Sequence, residues 1–188
     1  MNDDLASHYL HEILRQLRGH KRMAEAAIAQ LGDQDFFRAI DPESNSVAIL
    51  VKHIAGNMRS RFTDFLTSDG EKPDRHRDRE FEMPPPESRA DLMREWERQW
   101  EYLFSTLASL NPQDLLQTVT IRGEAHTVMQ ALNRALAHYA QHTGQIVFLA
   151  KHLRSAEWTT LSIARGKSER YKVKVPEHQN PASDRPKP

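Results

Sequence analysis

Apolar residues recur at steps of three and four along four segments of the chain, which is the spacing of an amphipathic helix. The first predicted helix spans Leu5 to Leu31, and the second follows the Ser-Asn-Ser caps at 44–46 and ends near 68–70. The third begins at the cap Ser88 and ends before Asn111-Pro112, and the fourth runs from Thr127 to about Leu153. Four such segments predict an all-α four-helix bundle.

The connection between the second and third predicted helices is long. Residues 71–87 contain Lys72-Pro73, a dense charged run at 75–80 and three consecutive prolines at 84–86, which disfavour a regular helix. Long connections inside a domain often serve a function. The run is therefore either a lid over a site or a solvated loop.

Two further short elements are predicted. Residues 119–126 alternate in polarity around Arg122-Gly123, which indicates a short β-hairpin before the fourth helix. Residues 157–164 suggest a short C-terminal helix, whereas 172–188 are polar and rich in proline and are expected to be disordered. We therefore predict one domain over residues 1–171 and a tail over 172–188.

Charge and cysteine content narrow the partners and the chemistry. The 26 basic residues balance the 26 acidic ones, so no net charge draws the chain to nucleic acid or to a membrane surface. The start Met1-Asn2-Asp3-Asp4 is acidic and no long apolar run follows, which predicts a cytoplasmic protein. Cysteine is absent, so a transition-metal site must use His, Asp or Glu.

Three histidines are the candidate metal ligands. His138 and His142 lie four residues apart on the fourth helix, roughly 40° apart around its axis. His142 falls within the apolar arc that contains Leu132, and His138 falls at its border, so both should face the bundle interior. His53 lies on the flank of the second helix. Neighbouring helices of a bundle can bring such residues to one metal with an open position, but hydrogen-bonded core histidines are the alternative.

Two segments around these histidines resemble the DinB-like superfamily. One is Val51-Lys52-His53-Ile54-Ala55-Gly56-Asn57, and the other is His138-Tyr139-Ala140-Gln141-His142-Thr143-Gly144-Gln145-Ile146. The strings at 57–62 and 69–73 are similar to a bacterial subfamily of about this length. Gly144 within a helix indicates a close approach of another helix.

The resemblance implies a fold, a site and a class of reaction. It implies a DinB-like four-helix bundle, a homodimer, and a divalent metal on His53, His138 and His142, with zinc or nickel expected. Some relatives are transferases or isomerases that use a low-molecular-weight thiol, so the chain is expected to be a metal-dependent thiol S-transferase acting on a small molecule. Asn57, Arg59 and Arg61 are candidate substrate-binding residues, and the two arginines are candidates because guanidinium groups bind carboxylates.

Two alternatives stay open. The open metal position could activate water instead of a thiol, which would make the protein a hydrolase. The Glu of a zinc-protease motif is missing, since Tyr139 follows His138, so a general base would have to come from another part of the chain. The third hypothesis is a non-catalytic, stress-associated dimer that binds metal structurally or not at all.

Overall fold

A computed structural model of the chain describes residues 3–83 and 88–170. Four long helices form a bundle, which confirms the predicted all-α class. A one-turn helix that the sequence pattern did not predict lies between the first and second of these long helices. In chain order the helices are α1 Asp3–Ile28, α2 Asp33–Phe37, α3 Val47–Phe62, α4 Arg89–Ala108 and α5 Val128–Arg154.

Side-chain caps set the beginnings of three helices as the sequence predicts. The Ser46 hydroxyl accepts a hydrogen bond from the backbone N–H of Ile49 at 3.2 Å, and α3 begins one residue after Ser46. Ser88 caps α4 in the same way. At α5, Thr127 and Gln130 form a capping box, each side chain accepting from the other's backbone N–H.

The core lies between two helix pairs, α3 with α4 and α1 with α5. Trp96 and Trp100 of α4 are buried with ring centroids 5.5 Å apart, and Trp100 also contacts Tyr139 of α5. Leu5, the first apolar residue of the predicted first helix, lies outside the core, because its side chain is 61% exposed. Ala6 is buried in its place, one residue further along the helix.

The predicted hairpin is confirmed. Strands β1 (Thr118–Ile121) and β2 (Glu124–Thr127) pair antiparallel, with Ile121 opposite Glu124. The two residues between them have positive φ angles, 58° at Arg122 and 75° at Gly123, as a tight two-residue turn requires. The backbone N–H of Gly70 donates to the carbonyl of Thr120 at 2.8 Å, which joins the hairpin to the segment after α3.

The long connection after α3 contains one element that the sequence did not predict, a 3-10 helix at Arg77–Phe81. A second 3-10 helix, Pro112–Leu116, precedes the hairpin. Within the described residues, no helix has both the length and the apolar composition needed to cross a bilayer.

The expected helix at residues 157–164 is wrong in position. The chain divides into two units, Met1–Trp158 and Thr159–Pro188. In the first, a 3-10 turn at Ser155–Glu157 follows α5, because Ser155 adopts a positive φ of 49° that ends the α-helix. In the second, the described part contains a 3-10 turn at Ser168–Arg170. The predicted boundary after residue 171 and the tail 172–188 lie outside the described residues.

Candidate metal centre

The three predicted histidines meet at one point between α3 and α5. The Nε2 atom of His138 lies 3.3 Å from Nε2 of His53 and 3.0 Å from Nε2 of His142. One ligand atom from each of the three lies within 4.8 Å of the other two. His53 is buried, and the other two are partly buried. The bundle thus brings together residues that are 85 positions apart in the sequence.

The outer nitrogen of His53 is held by a carboxylate. Nδ1 of His53 lies 2.7 Å from Oε2 of Glu80, which is only 8% exposed. Burial alone would raise the pKa of Glu80, but hydrogen bonds from His53 and Arg75 outweigh it and lower that pKa. The ionised carboxylate can only accept, so Nδ1 carries the imidazole proton and Nε2 presents its lone pair inward.

Arg75 holds this carboxylate in place. Its Nε and one terminal nitrogen donate to the two oxygens of Glu80 at 2.8 and 3.0 Å, a bidentate pair. The Arg75 side chain is itself 5% exposed and also contacts Glu71 at 3.2 Å. Two buried charges thus compensate each other directly behind His53.

Gly56 makes room for this arrangement. It lies one turn after His53 on α3, and a Cβ atom at this position would be 2.6 Å from Oε1 of Glu80. Any side chain here would force the Glu80 carboxylate away from His53. The expected close approach at Gly144 is wrong, because in the described part of the chain nothing lies within 4 Å of the corresponding Cβ position.

His138 and His142 are also neutral imidazoles, the form in which histidine binds a metal. Nδ1 of His142 lies 2.7 Å from the amide oxygen of Gln145, one turn along α5, which leaves its Nε2 lone pair facing inward. Burial lowers the pKa of His142 and, together with the nearby His142 and His53, lowers the pKa of His138 to about 3. Both imidazoles are therefore neutral at physiological pH, the form that binds a metal.

These residues fit a divalent metal ion. Lone pairs of His53 and His142 both point toward Nε2 of His138, and a single N–H there can satisfy only one of them. A cation at the centre would satisfy all three. Around a tetrahedral zinc ion with Zn–N bonds of about 2.0–2.1 Å, ligand nitrogens lie roughly 3.3 Å apart, close to the observed 3.0 and 3.3 Å. Three protein ligands leave a fourth position open.

A cavity of about 360 Å³ adjoins the three-histidine site. His53 and His138 line this cavity, and the predicted substrate-binding residues Asn57 and Arg61 also line it. The amide oxygen of Asn57 accepts from the Tyr139 hydroxyl at 3.0 Å, which fixes its orientation. The third candidate, Arg59, is not among the described residues of this cavity wall, and it pairs with Asp74 at 2.6 Å.

The segment after α3 covers part of the site. The ring of Phe81 lies 4.7 Å from the ring of His53, and Arg75 and Arg77 line the cavity. This segment therefore supplies contacts to the site. Whether it opens and closes as a lid stays a prediction, and its residues 84–87 lie outside the described part.

Sequence reasoning missed Glu80, Arg75 and the role of Gly56. In the sequence, Glu80 and Arg75 are only two members of a charged run. No spacing rule connects Glu80 to His53, which lies 27 residues earlier. Gly56 lies in the segment that carries the resemblance, which was the only available signal. Gln145 lies in the second such segment.

Fold and site together define an all-α bundle with a group of three histidines that could hold a metal ion. The chain belongs to the family described as "Protein of unknown function (DUF1572)", whose model matches residues 4–167. The matched range includes all three histidines, Glu80 and the cavity. No curated protein and no solved structure matches the chain.

Proposed function

We propose that this protein is a metal-dependent enzyme of the DinB-like superfamily, with a divalent metal on His53, His138 and His142. The observation that carries the proposal is the convergence of three Nε2 atoms, with two of the outer nitrogens bonded to Glu80 and Gln145. Hydrogen-bonded outer nitrogens are typical of metal-ligating histidines, since they fix tautomer and ring orientation. Zinc and nickel are the metals we expect, because neutral imidazole suits both.

The proposed reaction is transfer of a low-molecular-weight thiol to a small electrophilic molecule. When bound, a divalent metal would lower the pKa of a thiol at its open position, which favours the nucleophilic thiolate. The chain's own residues keep the ligands neutral and oriented, and Asn57 and Arg61 offer polar groups to a substrate in the adjoining cavity. The protein has no cysteine, so the thiol would come from the cofactor.

The surroundings favour thiol transfer over hydrolysis. A hydrolase benefits from a free carboxylate that accepts a proton from the attacking water. Among the described residues, no Asp or Glu lines the cavity. Glu80 is already engaged with His53 and Arg75, and Glu71 with three arginines of the cavity wall. Thiol transfer makes a smaller demand on a protein base, because a metal-bound thiol is deprotonated outright, whereas metal-bound water ionises only at about pH 7.

Titration of cobalt-substituted protein with small thiols tests this proposal. We expect a thiolate-to-cobalt charge-transfer absorption that saturates at one thiol per chain, in wild type and in the surface control His152→Ala. His142→Ala should lose it. Metal-loaded protein that shows no such band with any thiol, yet hydrolyses ester or amide substrates, would favour the hydrolase. If the protein neither binds a thiol at the metal nor hydrolyses these substrates, the non-catalytic hypothesis is favoured.

A further inference from the structure

Positive charge is concentrated around the cavity although the chain as a whole is neutral. Basic and acidic residues are equal in number, 26 each. The described wall of the cavity nevertheless contains five arginines and no acidic residue: Arg61, Arg75, Arg77, Arg122 and Arg134.

Only part of this charge is compensated. Glu71 contacts Arg61, Arg75 and Arg122, and Glu80 contacts Arg75. Among described residues, the only other carboxylate that pairs with these arginines is Asp78, almost fully exposed and 3.7 Å from Arg77. Five guanidinium groups thus face three carboxylates, which leaves two positive charges in excess.

Two of the arginines are available to a ligand. Arg134 of α5 is exposed and makes no hydrogen bond or ion pair with any residue that the structure describes. Arg122 uses Nε on Glu71 at 3.1 Å, and no described partner occupies its terminal nitrogens. Its backbone belongs to the tight hairpin turn, so the direction from which its side chain enters the cavity is fixed.

Part of the remaining wall is apolar. Phe62, Phe65 and Ile121 line the cavity beside the arginines, and His53 and His138 line it as well. A molecule in this space would meet guanidinium groups, an apolar surface and the three-histidine site. Pockets of this size that combine apolar walls with few charged groups bind small organic molecules.

We propose that the cavity binds a small organic molecule through an anionic group, a carboxylate or a phosphate, held by Arg122 and Arg134. The apolar part of the molecule would contact Phe62 and Phe65, in the same cavity that His53 and His138 line. The proposed anion site depends only on the arginines and does not require a bound metal. That the reacting end meets a metal rests on the function proposed above.

Binding of two simple probes tests the anion site directly. Succinate and inorganic phosphate are titrated calorimetrically into the full-length protein at low ionic strength, as purified and again after chelation of metal. We expect at least one probe to bind with or without metal, and more weakly as salt is added. The probe with the tighter binding distinguishes a carboxylate from a phosphate ligand.

Arginine variants locate the binding. Arg122→Gln and Arg134→Gln should each weaken binding about ten-fold, since each removes a charge-assisted hydrogen bond. Arg98→Gln, an exposed arginine of α4 that lies outside the cavity wall, should leave it unchanged. No binding of either probe to chelated protein, or an equal loss in Arg98→Gln, would overturn the proposal. Circular dichroism confirms that each variant is folded.

A pair of thiols separates this inference from the proposed function. Mercaptosuccinate and 2-mercaptoethanol both carry a thiol, but only the first is anionic. If metal-loaded protein binds both equally and the arginine variants change nothing, the anion site is wrong and the thiol chemistry stands. If succinate binds without metal and no thiol binds with metal, the anion site stands and the thiol chemistry is wrong.

Discussion

The two glycines beside the histidines have opposite surroundings. Gly56→Ala would place a Cβ 2.6 Å from the Glu80 carboxylate, whereas a Cβ at Gly144 would meet no described residue within 4 Å. We expect Gly56→Ala to weaken metal binding about ten-fold, because the carboxylate that orients His53 must move. Gly144→Ala should leave metal binding unchanged and raise the free energy of unfolding by about 0.5–1 kcal/mol, the usual gain in a helix. Competition with a chelator and thermal denaturation measure both.

An equal loss of metal affinity in both variants would contradict this account of Gly56. Lower stability in Gly144→Ala would indicate that a partner chain covers that part of α5.

Glu80 is expected to matter more for stability than its neighbour Glu82. Glu80→Gln keeps the shape of the side chain but leaves the buried Arg75 with less compensation. We expect a loss of about 3 kcal/mol in unfolding free energy, as is typical when one member of a buried pair is removed, and a 10- to 100-fold loss of metal affinity. Urea denaturation and chelator competition measure these losses. Glu82→Gln, at an exposed position, should change neither.

Helix phase placed His138 and His142 on one side of the fourth helix, and the resemblance added His53, but neither revealed the residues that support them. The i,i+4 spacing and the apolar arc of α5 are local properties, so His138 and His142 could be placed together from sequence. Glu80 reaches His53 through an irregular segment whose path no periodic pattern encodes. Its position depends on tertiary contacts with Arg75 and on the space left at Gly56.

Hydrogen bonds to one aspartate connect the hairpin to the segment after α3. The carboxylate of Asp69 accepts from the backbone N–H groups of Glu71, Gly123 and Arg122, at 2.6, 2.8 and 2.8 Å. These bonds, chiefly those from Glu71 and Gly123, lower the pKa of Asp69 to about 2. Because the folded-state pKa lies below the unfolded value, the stabilisation is present above pH 4 and is lost as the pH falls toward 2.

Asp69→Asn should therefore destabilise the protein at pH 7 by about 1 kcal/mol, a value reduced for the partial exposure of the site. The difference from wild type should shrink as the pH falls from 4 to 2. Urea denaturation at several pH values measures it. Asp78→Asn, at an exposed position that binds no backbone N–H in the described chain, is the control and should stay within about 0.5 kcal/mol. A constant difference across this range would contradict the assignment.

At the level of elements, the sequence predicted what is locally encoded. Ser46, Ser88 and Thr127 mark helix starts because their side chains bond the first free backbone N–H groups. The turn at Arg122-Gly123 was also recognisable, because a glycine between two short segments of alternating polarity is typical of a tight hairpin turn. The one-turn helix α2 and the 3-10 helix Arg77–Phe81 are too short for a periodic pattern, and tertiary contacts hold them.

For the whole molecule, the homodimer implied by the resemblance stays a prediction, as does the cytoplasmic location. Light scattering coupled to gel filtration should give twice the monomer mass. Exposed Phe148 on α5 is a place where a second copy could pack, and Phe148→Ser should then lower the dimer fraction. A monomer at all concentrations would contradict the dimer and leave the three-histidine site unaffected, because one chain supplies all three residues.

The central claim is that the bundle holds one divalent metal on three histidines. Metal content per chain, measured by inductively coupled plasma mass spectrometry after loading with zinc or nickel and removal of excess, tests it most directly. We expect one metal per chain in wild type and in the control His152→Ala, and close to none in His53→Ala, His138→Ala and His142→Ala. A His142→Ala variant that keeps full metal content and full stability would contradict the account.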